Sequence, residues 1–90
     1  MSVDKLTIKS QLSLSAVIEF GMNQPIPRNR FINCPFHADR NSSLKIYDDH
    51  FHCFSCHKHG DVIEWVKLHE GCDFKTALQI CNELLLHANH

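Results

Sequence analysis

Two short pairs of metal-ligating residues constrain the fold of this chain more than any other feature. The first pair, Cys34 and His37, lies in the run CPFH, and the second, Cys53 and Cys56, lies in CFSC. A two-residue gap lets a tight turn aim both ligands at one point, and two facing turns supply the four corners of a tetrahedron. The spacing therefore predicts one structural Zn²⁺ ion bound by Cys34, His37, Cys53 and Cys56.

The size and cysteine content of the chain agree with a metal site. A domain of 90 residues has a marginal apolar core, so a metal is an expected support. Five cysteines, an odd number, argue against a complete disulfide framework. The first 13 residues lack the basic start, apolar run and cleavage site of a signal peptide. We therefore expect a cytoplasmic protein without a membrane contact, where paired cysteines indicate metal binding.

The same residues admit other interpretations. The run CFSCH over residues 53–57 matches the attachment pattern of c-type haem, but that function would leave Cys34 and His37 without a role. His52, His57 and His59 lie close enough to coordinate a metal, yet His37 alone reproduces the two-residue gap. Three thiolates and one imidazole leave no open position on zinc, and the sequence shows no catalytic triad or phosphate-binding glycine loop. We predict that the chain has no enzymatic activity of its own.

Between the ligand pairs the sequence predicts a β-hairpin with two different faces. With Asp48 and Asp49 as the turn, Ile46 lies opposite Phe51 and Leu44 opposite Cys53. The other face then carries basic and aromatic side chains, namely Lys45, Tyr47, His50 and His52.

Helices are predicted on both sides of this hairpin. Apolar spacing indicates a helix over residues 12–20, with Ser13 or Ser15 as its N-cap and Gly21 at its end. Two prolines make residues 23–27 a connector.

After the second ligand pair, Asp61 is predicted to cap a helix that runs to about His69 and stops at Gly71. Asp73 is predicted to cap a second helix, whose core stripe is Phe74, Ala77, Leu78, Cys81, Leu84 and Leu85.

These elements predict one α+β domain over residues 1–90. Residues 1–27 form an N-terminal helical segment with its proline linker, residues 28–58 form a zinc ribbon, and residues 59–90 form a helical pair. The ribbon is expected to contain an antiparallel sheet of about three to five strands.

Basic residues are concentrated around the predicted metal site. Residues 28–58 carry five bases against three acids, whereas residues 59–90 carry two bases against five acids. Bases of single-stranded nucleic acid stack on aromatic rings while cations follow the phosphates. The candidate nucleic-acid contacts are Arg28, Arg30, Arg40, Lys45, Tyr47, His50, His52 and Lys58. An ordinary solvated sheet face is the alternative interpretation.

The pattern of CPFH, CFSC and the following Gly60-Asp61 resembles the N-terminal zinc-binding domain of bacterial and phage DNA primases. The resemblance covers roughly residues 12–86 and implies a zinc ribbon with the same four ligands. It further implies basic template contacts at or beside Arg28, Arg40 and Lys45. Ser55 and His57 stand where the family has glycines, so a positive φ at either position would have to be adopted by a residue with a side chain.

The resemblance implies a non-catalytic module that binds single-stranded DNA in primer synthesis. Its expected partners are a primase-polymerase domain or protein and a replicative helicase, in a phage, a mobile element or a bacterial primosome. The alternative is a protein-interaction adaptor that docks on a replication enzyme through its acidic, apolar helices.

Overall fold

Four helices and a four-stranded antiparallel sheet make up the residues that the computed structural model describes, 5–38 and 41–88. In chain order the elements are α1 (Lys5–Gln11), α2 (Leu14–Met22), β1 (Phe31–Ile32), β2 (Leu44–Ile46), β3 (Phe51–Cys53), β4 (His59–Gly60), α3 (Val62–Glu70) and α4 (Phe74–Ala88). The predicted α+β class, with a small antiparallel sheet between helices, is confirmed. None of the helices in these ranges is long and apolar enough to cross a membrane.

The strands follow one another in the sheet in the order β1-β2-β3-β4. Leu44 pairs with Cys53 and Ile46 with Phe51, so the predicted register of the central hairpin is confirmed. All four of these side chains are at most 1% exposed. The alternation of apolar and polar residues fixes the register, because a shift by one residue would bring polar side chains into the core.

Helix α3 lies at the centre of the helical layer, where it contacts α1, α2, α4 and strand β4. Its Trp65 is 1% exposed and joins this layer to the sheet. The indole meets the ring of Phe51 edge-on, at 5.3 Å between centroids, and the ring of Phe36 at 5.0 Å. One hydrophobic core therefore runs from the helices to the loop between the first two ligands.

The predicted N-caps are present in the structure. The side chain of Ser13 accepts a hydrogen bond from the amide of Ala16, and Asp61 accepts one from the amide of Glu64 at 2.9 Å. Asp73 caps α4 by accepting from the amide of Thr76 at 2.8 Å. At the other end of α3, Gly71 adopts the left-handed conformation, as expected for a C-cap.

Three details differ from the prediction. Helix α2 continues through Gly21 and ends at Asn23, whose φ of 56° shows that asparagine replaces glycine as the left-handed cap. Phe74, the first residue of α4, is 48% exposed rather than part of the core stripe. An additional helix, α1, precedes α2 and buries Ile8 completely.

Gly60 is expected to resist substitution because the side chain of Glu64 occupies the space beside its Cα. A Cβ atom at residue 60 would lie 2.4 Å from the Cβ of Glu64, and the residue has a φ of 154°. We expect Gly60→Ala to lower the free energy of unfolding by about 2 kcal/mol or more, measured by urea denaturation. Gly21→Ala is the matched control, since its new Cβ would meet His69 at 3.4 Å within a helix. A Gly60→Ala protein as stable as the control would contradict this steric role.

Candidate metal centre and the adjoining sheet face

The topology of the sheet brings the two ligand pairs together. In an antiparallel sheet β1 and β3 run in the same direction, so their ends lie at the same edge. Cys34 follows the end of β1 by two residues, and Cys53 is the last residue of β3. The turns that follow carry His37 and Cys56, each three residues after its cysteine.

The four predicted ligands meet at distances that suit one zinc ion. Their ligand atoms all lie within 4.8 Å of one another, and they form the one group of this kind among the described residues. Cys34 Sγ lies 3.8 Å from Cys56 Sγ, and Cys53 Sγ lies 3.6 Å from His37 Nε2. A tetrahedral site with ordinary bond lengths requires about 3.8 Å between two sulfurs and about 3.6 Å between sulfur and nitrogen. The donor set and its spacing therefore fit one structural zinc.

The imidazole of His37 is oriented for metal binding. Its Nδ1 lies 3.2 Å from the carbonyl oxygen of Ala38. Because a carbonyl can only accept, Nδ1 carries the proton and Nε2 presents its lone pair toward the thiols. A backbone hydrogen bond of this kind fixes the tautomer of a ligating histidine.

The protein environment acts in opposite directions on two of the thiols. Burial raises the pKa of Cys34 to about 12, because a thiolate is less stable in the core than in water. Burial also raises the pKa of Cys53, but hydrogen bonds to its sulfur, led by the one from the Cys56 amide, outweigh this effect and hold the pKa at about 6. A metal cation would supply the positive charge that the Cys34 thiolate needs.

The turn after the second pair adopts a conformation that usually requires glycine. His57 has a φ of 66°, whereas Ser55 is not among the described residues with positive φ. The His57 amide donates to the Cys53 carbonyl at 2.9 Å, and the Cys53 amide donates to the Lys58 carbonyl at 2.8 Å. These hydrogen bonds close the turn around the ligands and hold His57 in the left-handed region despite its side chain.

The two remaining cysteines lie away from this group. Cys81 is fully buried in the core, and burial raises its pKa to about 11. Cys72 is half-buried just before the cap of α4. All five cysteines, each within the described ranges, are free of disulfides.

The opposite side of the sheet carries a row of aromatic and basic side chains that crosses all four strands. Phe31 pairs with Lys45, Lys45 pairs with His52, and His52 pairs with His59. Paired residues project to the same side of an antiparallel sheet. Together with Tyr47, His50 and Phe54 at the ends of the strands, these residues form what we call the outer face.

Ring contacts connect the residues of the outer face. The Lys45 ammonium lies 5.7 Å from the ring centroid of Phe31 and 5.0 Å from that of Tyr47. Tyr47 stacks on His50 at 4.2 Å, and His52 meets Phe54 edge-on at 4.6 Å. The outer face is therefore an ordered aromatic surface with a cation at its centre.

The structure places the predicted nucleic-acid contacts in different surroundings. Lys45, Tyr47, His50 and His52 share the outer face. Arg28 is exposed in the segment before β1, and Lys58 is exposed between β3 and β4. Arg40 lies outside the described residues.

Arg30 has a different role from the other predicted contacts. Its guanidinium donates to the carbonyl of Ile46 at 3.0 Å and to the hydroxyl of Ser15 at 2.8 Å. The residue also adopts a φ of 67° at the entry to β1. These bonds connect helix α2 to the sheet, a role that no sequence pattern indicated.

Three members of the outer face were not predicted from the sequence as nucleic-acid contacts: Phe31, Phe54 and His59. Phe31 could have been found from the alternation with buried Ile32. Phe54, 55% exposed, lies in a turn between two ligands, where period-two alternation does not apply. His59 belongs to a strand of two residues, too short to produce a pattern.

Comparison with known proteins identifies related sequences. The family model described as CHC2 zinc finger matches residues 2–89. A DNA primase of Mycoplasma pneumoniae is 35% identical over 81 residues, which cover 86% of this chain and 13% of that protein. A DNA primase of Mycoplasma genitalium is 31% identical over 87 residues, or 92% of this chain and 14% of the relative. A DNA primase of Thermotoga maritima is 44% identical over 52 residues, or 51% of this chain and 8% of the relative.

The chain thus spans about one seventh or less of the length of these relatives. No solved structure matches it.

Proposed function

Because the chain belongs to the CHC2 zinc-finger family of DnaG-type primases, we propose that it is a non-catalytic, zinc-stabilised module that binds single-stranded DNA in primer synthesis. The observation that carries the proposal is the row Phe31–Lys45–His52–His59 across the sheet.

The metal has a structural role in this proposal. Cys34, His37, Cys53 and Cys56 bind the ion, and these four ligands complete its tetrahedron. The ion supplies folding energy and holds the two turns together, without an open position for substrate or water.

The outer face supplies the two kinds of contact that single-stranded DNA requires. The rings of Phe31, Tyr47 and Phe54 offer surfaces on which bases stack, independently of sequence. Lys45 lies between two of these rings, where its ammonium can reach the phosphates that connect the stacked bases. Arg28 and Lys58 add charge beside the sheet. Arg30 is excluded from the contact set because its guanidinium is bound within the protein.

The proposal is tested by a salt titration of binding between the zinc-loaded chain and a fluorescent single-stranded octanucleotide. We expect a dissociation constant of roughly 10⁻⁴–10⁻⁶ M that weakens with salt. If three cations contact phosphates, the logarithm of the association constant should fall with the logarithm of the salt concentration with a slope of about −2. Lys45→Met keeps an apolar side chain but removes the charge, so it should reduce the magnitude of that slope by about 0.7.

Lys75→Met on helix α4 is the matched control and should leave affinity and slope unchanged. The DNA role would be lost if the chain failed to bind at the lowest salt concentration. The proposed DNA role would also be contradicted if Lys45→Met and Lys75→Met had the same affinity and the same salt dependence.

A second candidate function, docking on a replication protein, is favoured by one observation. Phe20 is 77% exposed and borders a groove of about 100 Å³ between α2, α3 and α4, on helices rather than on the outer face. A primase-polymerase domain or a replicative helicase is the proposed partner. This function would be supported if such an enzyme co-purified with the chain in the absence of DNA. Phe20→Ala should abolish the co-purification, and Lys45→Met should leave it unchanged.

We also propose a domain assignment and a cellular location for the protein. Residues 1–90 act as a single domain, since the buried residues form one core that extends from α1 to α4. The protein acts in the cytoplasm, where replication takes place.

A further inference from the structure

Three histidines lie close together beside the second ligand pair, and none of them belongs to the zinc site described above. They are His52 on β3, His59 on β4 and His57 in the turn between these strands. The ring centroid of His52 lies 5.8 Å from that of His59 and 6.3 Å from that of His57. Imidazole is a ligand that Zn²⁺, Cu²⁺ and Ni²⁺ share. The three rings therefore have the ligand chemistry of a transition-metal site.

The sheet brings His52 and His59 together. The two residues are directly opposite each other in the antiparallel pair of β3 and β4. The Cys53 amide donates to the Lys58 carbonyl at 2.8 Å, and hydrogen-bonded and non-hydrogen-bonded pairs alternate along such a pair of strands. His52 and His59 therefore form a non-hydrogen-bonded pair, the kind in which side chains approach each other most closely.

A backbone hydrogen bond orients the ring of His59 for metal binding. Its Nδ1 lies 3.0 Å from the carbonyl oxygen of His57. Because a carbonyl can only accept, Nδ1 carries the proton and Nε2 keeps its lone pair for a metal. The zinc ligand His37 has the same arrangement with the carbonyl of Ala38.

A small movement of the rings is sufficient for them to share one ion. Two imidazoles on one metal, with ordinary bond lengths, have ring centroids about 4.5–5.2 Å apart. The observed separations are about 1 Å larger, and the three rings are not drawn together as the four ligands of the zinc site are. His57 and His59 are exposed, so rotation of their side chains can close this gap without a change in the core.

The neighbouring cation on the sheet lies on the other side of His52. Lys45 is opposite His52 on β2, whereas His59 is opposite it on β4. The Lys45 ammonium lies over the rings of Phe31 and Tyr47. An ion between His52 and His59 is therefore on the side of His52 that faces away from this charge.

We propose that His52, His57 and His59 bind a second metal ion, a divalent transition metal of the class of Zn²⁺, Cu²⁺ or Ni²⁺, at the surface of the sheet. Three protein ligands leave at least one coordination position open to water or an anion. The site is separate from the structural zinc, and the inference does not rest on the binding of DNA.

The test is a calorimetric titration of Zn²⁺ into the chain that already holds one zinc ion. Zn²⁺ is the probe because it cannot exchange a different metal into the first site. We expect one further ion to bind per chain. In the NMR spectrum, the ring signals of His52, His57 and His59 should shift as this ion is added, while those of His50 and His69 should not.

Two substitutions remove ligands from the cross-strand pair. His52→Gln and His59→Gln should each weaken binding of the second ion by about ten-fold or more, because even a residue that only orients a ligand contributes about 10–100-fold to metal affinity. His50→Gln is the matched control. It removes another exposed histidine, one that stacks on Tyr47, and should leave binding of the second ion unchanged.

The third ligand can be removed without risk to the fold. His57 has a φ of 66°, a conformation that glycine adopts more readily. His57→Gly should therefore keep the structural zinc and be at least as stable as the unmodified chain. It should nevertheless weaken binding of the second ion by about ten-fold or more.

Two results would overturn the second metal site. One is the absence of a second bound ion in the unmodified chain. The other is a second ion that binds equally well to His52→Gln, His57→Gly and His59→Gln, because that ion would lie elsewhere on the chain. One zinc ion per chain and native Trp65 fluorescence before the titration show that each variant is folded.

Discussion

Removal of zinc is expected to unfold the ribbon. The strands contain only two or three residues each, so the sheet depends on the ion that joins its two turns. Structural zinc contributes about 10–16 kcal/mol in zinc-finger peptides, whereas the total stability of a domain is about 5–15 kcal/mol. A chelator, or the substitution Cys53→Ser, should therefore abolish the native sheet.

Trp65 provides the measurement for this prediction. Its ring is buried against Phe51 and Phe36, so loss of the ribbon should expose it and shift its fluorescence to longer wavelength. Cys72→Ser is the matched control, because Cys72 lies outside the four-ligand group, and it should retain both zinc and the native emission. Native emission from a chain with no bound zinc would show that the metal does not support the fold.

Truncation of Trp65 should have the second-largest effect. The side chain is 1% exposed and lies where the helices, the sheet and the first metal turn meet. We expect Trp65→Ala to lower the free energy of unfolding by about 3–5 kcal/mol, through lost burial and the cavity that remains. The measurement is urea denaturation followed by circular dichroism, since the tryptophan signal is absent from the variant.

Phe74→Ala provides the comparison for Trp65→Ala. It removes another aromatic ring, from a position that is 48% exposed, and should change stability by about 0.5 kcal/mol or less. If the two variants unfolded at the same urea concentration, Trp65 would not connect the layers as described.

The parts of the fold that could be predicted are those that depend on residues close together in the sequence. Ligand spacing indicated the four residues that the sheet brings together. Period-two alternation gave the pairing of Leu44 with Cys53, and side-chain caps located the starts of α3 and α4. In each case the interaction is local or repeats at a fixed interval, so a single sequence is sufficient.

The parts that could not be predicted depend on contacts between distant segments. The sequence offers no reason to connect Arg30 with Ser15, because the hydrogen bond forms only after α2 packs beside the sheet. The rings of Phe31 and Phe54 likewise come together only in the folded chain, because strands β2 and β3 lie between these residues in the sequence. Gly21 was expected to end α2, but two residues later Asn23 accepts the left-handed conformation at little cost.

We propose that zinc holds a sheet whose outer face binds single-stranded DNA. The most direct test of this proposal is a map of backbone amide chemical shifts in the zinc-loaded chain, recorded as an unlabelled single-stranded octanucleotide is added. The largest shifts are expected at Phe31, Lys45, Tyr47, His52 and Phe54, with little change along α3 and α4. Shifts confined to the helices, or a spectrum unchanged at saturating oligonucleotide, would contradict binding at the outer face.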